Sequence, residues 1–113
     1  VNSDLTPAAI IATLSQIGRE IDEATAELER ADEEAVRTKA EHRLARAKSL
    51  VATDGSVALR EATAEIECYT FYLAAEVAAQ KQRAVASKIR ALRDRLEIGR
   101  SLGPLARLEW GQS

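Results

Sequence analysis

Apolar and small residues return every three or four positions from Ile10 onward, at Leu14, Ile17, Ile21, Ala24, Leu28, Ala31 and Ala35. Alternating steps of four and three keep one stripe on one side of a helix, which is the heptad signal of a packed seam. After Ala35 the apolar positions slip to Val36, Ala40, Leu44, Ala47 and Val51. A slip of this kind changes the local supercoil without ending the helix. The second half repeats the pattern at Leu59, Ala62, Ile66, Tyr69 and Leu73. It drifts in four-residue steps through Val77, Lys81 and Val85, then resumes at Ile89, Leu92, Leu96 and Gly99.

Between the halves stands Thr53-Asp54-Gly55-Ser56. Asp-Gly is turn chemistry, Gly55 can take the left-handed conformation beyond a helix end, and Ser56 can cap the next helix. Thr6-Pro7 is a helix start, because proline at the first helical position gives up no hydrogen bond. Gly99, Gly103 and Pro104 read as a breaking zone. The pattern therefore predicts an all-α protein in a single helical domain over 1–113. Its elements are a helix over 7–52, a turn at 53–56, a helix over 57–102 and a short C-terminal segment over 104–113. The two long helices form an antiparallel, coiled-coil-like hairpin.

Composition supports this reading, since charged residues make up 30% and aromatics only 4%, a balance suited to long helices. Many seam positions are alanine, which buries little area, so the pair is marginal alone. A homo-oligomer is expected, with Leu105, Leu108 and Trp110 supplying the contact between subunits.

Charge is arranged in blocks. Folding at 54–55 sets residue i near residue 109 minus i. The acidic run Glu20 to Glu34 then faces Lys81, Arg83 and Lys88, and the basic run Arg37 to Lys48 faces Glu61, Glu65, Glu67 and Glu76. Arg90, Arg93, Arg95, Arg100 and Arg107 differ, because the segment opposite them, 2–19, offers only Asp4 as an acid. An unbalanced basic region suits a phosphate backbone.

Catalytic chemistry is hard to find. His42 is the single histidine and Cys68 the single cysteine. A metal centre needs several converging ligands and a nucleophile needs a base, so His42 reads as an exposed helix residue and Cys68 as packing. Glycine is too scarce for a phosphate-binding loop. The expectation is a non-enzyme with no cofactor and no metal. Tyr69, Phe71 and Tyr72 read as core or interface packing, with stacking on bases as the alternative. The lone cysteine, the lack of a signal-peptide pattern and the lack of a long apolar run point to a cytoplasmic protein with no membrane partner.

The stretch Ile89-Arg90-Ala91-Leu92-Arg93-Asp94-Arg95-Leu96-Glu97-Ile98-Gly99-Arg100-Ser101-Leu102-Gly103, closing on Arg107-Leu108-Glu109-Trp110, carries a resemblance, as does Asp54-Gly55-Ser56-Val57-Ala58-Leu59-Arg60-Glu61-Ala62. Together they resemble small helical proteins of actinobacterial tailed phages, likened to UvsY-type recombination mediators. The resemblance spans roughly residues 8 to 110. It implies a ring-shaped oligomer in the infected bacterial host cell that binds single-stranded DNA. It also implies two protein partners, a recombinase to be loaded and a single-strand-binding protein to be displaced. The family's basic cluster on a helix falls loosely on Arg43-Leu44-Ala45-Arg46-Ala47-Lys48. The candidate DNA contacts are thus Arg43, Arg46, Lys48, Arg90, Arg93, Arg100 and Arg107. The alternative is a coiled-coil structural, assembly or inhibitor protein that engages a protein partner through its apolar tail.

Overall fold

The computed structural model describes residues 6–111, with side chains to Pro104. These residues form three helices: α1 (Pro7–Ala52), α2 (Val57–Glu67) and α3 (Tyr69–Gly111). Each boundary has a local cause. Thr6 Oγ1 accepts from the Ala9 amide at 3.1 Å, and Pro7 occupies the first helical position. At the other end of α1, Arg60 donates from Nε and Nη2 to the Leu50 carbonyl at 3.0 and 2.8 Å. This satisfies a carbonyl that the helix end leaves without an amide. Gly55 turns the chain at φ +119°, and Ser56 Oγ accepts from the Leu59 amide at 3.2 Å to start α2.

Two features depart from the expected helices. The second arm is interrupted at Cys68, where φ is −100° and ψ is 11°. The ladder spans the interruption, since the Cys68 amide donates to Ala64 O at 2.9 Å and Cys68 O accepts from Tyr72 at 3.0 Å. One residue is distorted and the chain direction is not lost. The expected break at Gly103-Pro104 is absent, and α3 runs through Pro104 to Gly111. Proline removes one amide and crowds the preceding turn, but Pro104 is exposed there and the freed carbonyl can meet water.

The described chain divides into two compact units. The turn unit is Leu28–Ala84, and the terminal unit takes the described residues up to Glu27 and from Val85 onward. In the terminal unit, Ile10, Ile17 and Ala24 of α1 are buried, as are Val85, Ile89 and Leu92 of α3. Leu14 reaches so close to Gly99 that a Cβ there would lie 2.5 Å from Leu14 Cδ2. A fold about the turn's midpoint pairs Leu14 with Arg95, so the true register is one helical turn further along.

The turn unit packs differently from the expected seam. The heptad of α1 does not slip after Ala35. Ala31, Thr38 and Ser49 are buried and His42 and Ala45 half-buried, so the four–three rhythm runs on unbroken. Ala64, Cys68 and Ala78 are buried on the second arm, with Ala75 and Gln82 half-buried. Leu59, Ile66, Tyr69, Leu73 and Val77, expected in the seam, are exposed, as are Val36, Leu44 and Val51. An unbroken helix must keep presenting one face to its partner, whatever residues fall there.

The small polar side chains in this seam are satisfied. Thr38 Oγ1 donates within its own helix to Glu34 O at 2.8 Å, and Ser49 Oγ donates to Glu67 Oε2 at 2.7 Å. Gln82 Nε2 donates to Asp32 Oδ1 at 2.6 Å. Among the described residues no buried side-chain nitrogen or oxygen lacks a partner. The turn unit therefore buries small groups and displays large apolar ones.

Candidate nucleic-acid interface

Burial of Val85, Ile89 and Leu92 fixes which way α3 faces in the terminal unit. At about 100° per residue, Arg90, Arg93 and Arg100 then share one flank, and all three are exposed. Arg93 and Arg100 are seven residues apart, so about 10.5 Å separates them along the helix at 1.5 Å per residue. Arg90 Nη2 donates to Ser87 Oγ at 3.0 Å, and Arg100 Nη1 meets Glu97 Oε1 at 3.2 Å. Both partners belong to α3 itself. Among the described residues, the ion pair from α3 to α1 in this unit is Lys88 Nζ to Glu27 Oε2, at 3.6 Å.

The opposite flank of α3 is mixed in charge. Arg95 and Lys88 line a shallow cavity of about 390 Å³ with Glu20 and Glu23 of α1. The row Arg90–Arg93–Arg100 is thus the more one-sided surface of this unit, with Glu97 within it and exposed Asp94, one turn from Arg90, at its edge. Arg107 continues the seven-residue spacing in the sequence, but its side chain lies outside the described residues. So do those of Leu105, Leu108 and Trp110, the expected contact between subunits.

Arg43, Arg46 and Lys48 belong to the turn unit. Arg43 and Lys48 are exposed and Arg46 half-buried, and among the described residues none of the three makes an ion pair. The alternative use of these cations, pairing with Glu61, Glu65, Glu67 and Glu76 across the hairpin, is not made among the described residues. Glu67 accepts from Ser49 instead, and Arg37 turns to its own helix, meeting Glu34 at 2.6 Å and Glu41 at 2.7 Å. The hydrogen bond from Arg37 holds the Glu34 carboxyl below its ordinary value, and the two carboxylates raise Arg37 above its own.

The remaining candidate groups sit as follows. His42 is half-buried at the seam, edge-on to Tyr72 with ring centroids 5.7 Å apart, and is not the freely exposed residue its sequence context suggested. Cys68 is buried, in keeping with packing. Tyr69, Phe71 and Tyr72 are all exposed, with Tyr69 and Tyr72 at 6.3 Å. Of the three, Phe71 lines an open groove of about 570 Å³ together with Glu41, Leu44 and Lys48 among others. The described residues include no cluster of three His, Cys, Asp or Glu able to hold a metal ion, and no helix long and apolar enough to cross a membrane.

The outward-facing large residues of the turn unit were missed as a surface by sequence reasoning. The available signal was the phase of the heptad through Ala31 and Ala35, which carries straight to Thr38 and Ser49 if polarity is ignored. Comparison of the chain with protein-family models, curated proteins and solved structures gives no match.

Proposed function

We propose that this chain is a non-enzymatic protein that binds single-stranded DNA and serves as a recombination mediator, holding the strand while a recombinase replaces single-strand-binding protein. The observation that carries DNA binding is the exposed flank Arg90–Arg93–Arg100, whose hydrogen bonds stay within α3. Guanidinium groups spaced along a rod suit phosphates, and the contact is electrostatic and indifferent to base sequence. The mediator role rests on the resemblance of 89–103 and 54–62. Arg43, Arg46, Lys48 and Arg107 are the further candidates for phosphate contact.

Fluorescence anisotropy of a labelled oligonucleotide through a salt titration tests the reading. On single strands the log–log slope falls by about 0.7 for each phosphate contact. The variant R90Q/R93Q/R100Q is expected to bind more weakly and to lose about two units of slope, if each arginine holds one phosphate. Unchanged affinity and slope overturn the assignment. A second reading, a scaffold or inhibitor that grips a protein partner, is favoured by the exposed apolar residues of the turn unit. Under it the arginine variant keeps its function, while polar substitutions at Ile66 and Leu73 abolish it.

A further inference from the structure

The turn unit carries two apolar stripes that its own fold leaves uncovered. Stripe A lies on α1: Val36, Ala40, Leu44, Ala47 and Val51, all exposed, with Val36 at 71% and Val51 at 83%. Stripe B lies on α2 and the start of α3: Leu59, Ala62, Ile66, Tyr69, Leu73 and Val77, also all exposed, with Ile66 at 79%. At about 100° per residue each stripe is centred about 180° from the seam of its own arm. The seams face each other, so A and B lie on opposite sides of the unit. Their lengths match, about 22 Å for A and about 27 Å for B at 1.5 Å per residue.

Charge distinguishes the two. Lys39, Arg43 and Arg46 run along one edge of A, and Lys48 lies on the other edge beside Glu41, which Arg37 already engages. Glu61, Glu65 and Glu76 run along one edge of B, with Lys81 and Arg83 beyond its end. Among the described residues, none of Lys39, Arg43, Arg46, Glu61, Glu65 and Glu76 makes an ion pair within the chain. A against A, or B against B, would set like charges side by side. A against B joins apolar centres and matches basic edge to acidic edge.

We propose that the occupant of each stripe is a second copy of this chain, docked face to back, stripe A of one copy on stripe B of the next. Such a contact is heterologous. An open row keeps one free stripe at each of its two ends, so assembly passes beyond a dimer until the row closes or runs on. This contact leaves the flank Arg90–Arg93–Arg100 untouched but engages Arg43 and Arg46, which are also candidates for phosphate contact, so it is tested on nuclease-treated protein.

Two blocked variants decide it, read by sedimentation or light scattering, with circular dichroism to check that each keeps wild-type helicity. L44D/V51D blocks A, and I66D/L73D blocks B; all four positions are exposed, so the hairpin has no need of them. The wild type is expected to exceed a dimer. Each variant alone should run as the 12.3 kDa monomer. Their equimolar mixture should stop at twice that mass, since it contains one usable A and one usable B. If either blocking pair costs helicity, the charge variants K39E/R43E/R46E and E61K/E65K/E76K take its place, each expected to be monomeric alone. A monomeric wild type overturns the proposal. So does a dimer of the B-blocked variant alone, which means A pairs with A. Wild-type mass in either blocked variant places the contact elsewhere, in the terminal apolar residues or on another protein, and also overturns it.

Discussion

Glycines show how finely a helical protein depends on single positions. Gly18 sits in α1 with nothing within 4 Å of where a Cβ would be. Gly18→Ala should therefore stabilise the protein by about 0.5–1 kcal/mol through helix propensity and a less flexible unfolded chain. Gly55→Ala should do the reverse, because φ is +119° and the new Cβ would lie 2.9 Å from Leu59 Cδ2. A loss of about 1 kcal/mol or more is expected there, and urea midpoints of the two variants separate the cases. Glu34 supplies a pH dependence. Its carboxyl is held low by Arg37, so the contribution is present above the ordinary glutamate pKa of about 4.3 and fades as pH falls through the lowered value. Helicity of the wild type should exceed that of Glu34→Gln slightly near neutrality, and the difference should vanish in acid. The pair is fully exposed, so the effect is small.

At the scale of elements, the two arms of the turn unit divide their residues by size. Ala64 is wholly buried while Ile66, two positions on, is 79% exposed. Ala64→Leu should cost about 1–3 kcal/mol by overpacking a tight seam. Ile66→Ser should leave the thermal midpoint of dilute protein nearly unchanged. Opposite results would mean that the arms meet through their large residues and not through their small ones. This division also explains what the sequence disclosed. The turn was legible because Asp54, Gly55 and Ser56 are each suited to one step of it. The seam of 10–35 and of 85–99 was legible because Ile, Leu and Val mark it. Between them the seam is Thr38, His42, Ser49, Ala64, Cys68 and Gln82, which have no strong hydrophobic signal. The large residues beside them drew the reading to the wrong face. The arginine flank was visible as charge, but which side of α3 it occupies required the burial of Ile89 and Leu92.

For the molecule as a whole, the contacts between the two arms join residues whose separation in sequence grows away from Gly55. Arg60 reaches back ten residues to Leu50, whereas Leu14 meets Gly99 across most of the chain. Closing a long loop directly costs more entropy than closing a short one. Once the turn has formed, each further pair adds almost no new loop, so the cheapest route to the native state is a zipper that starts at 53–56 and runs toward the ends. Stopped-flow kinetics should reveal that order. Gly55→Ala is expected to slow folding by nearly its full equilibrium effect. A destabilising change at Leu14 should leave the folding rate alone and speed unfolding. A central glycine that looks like mere punctuation would then set the pace at which the protein comes into being.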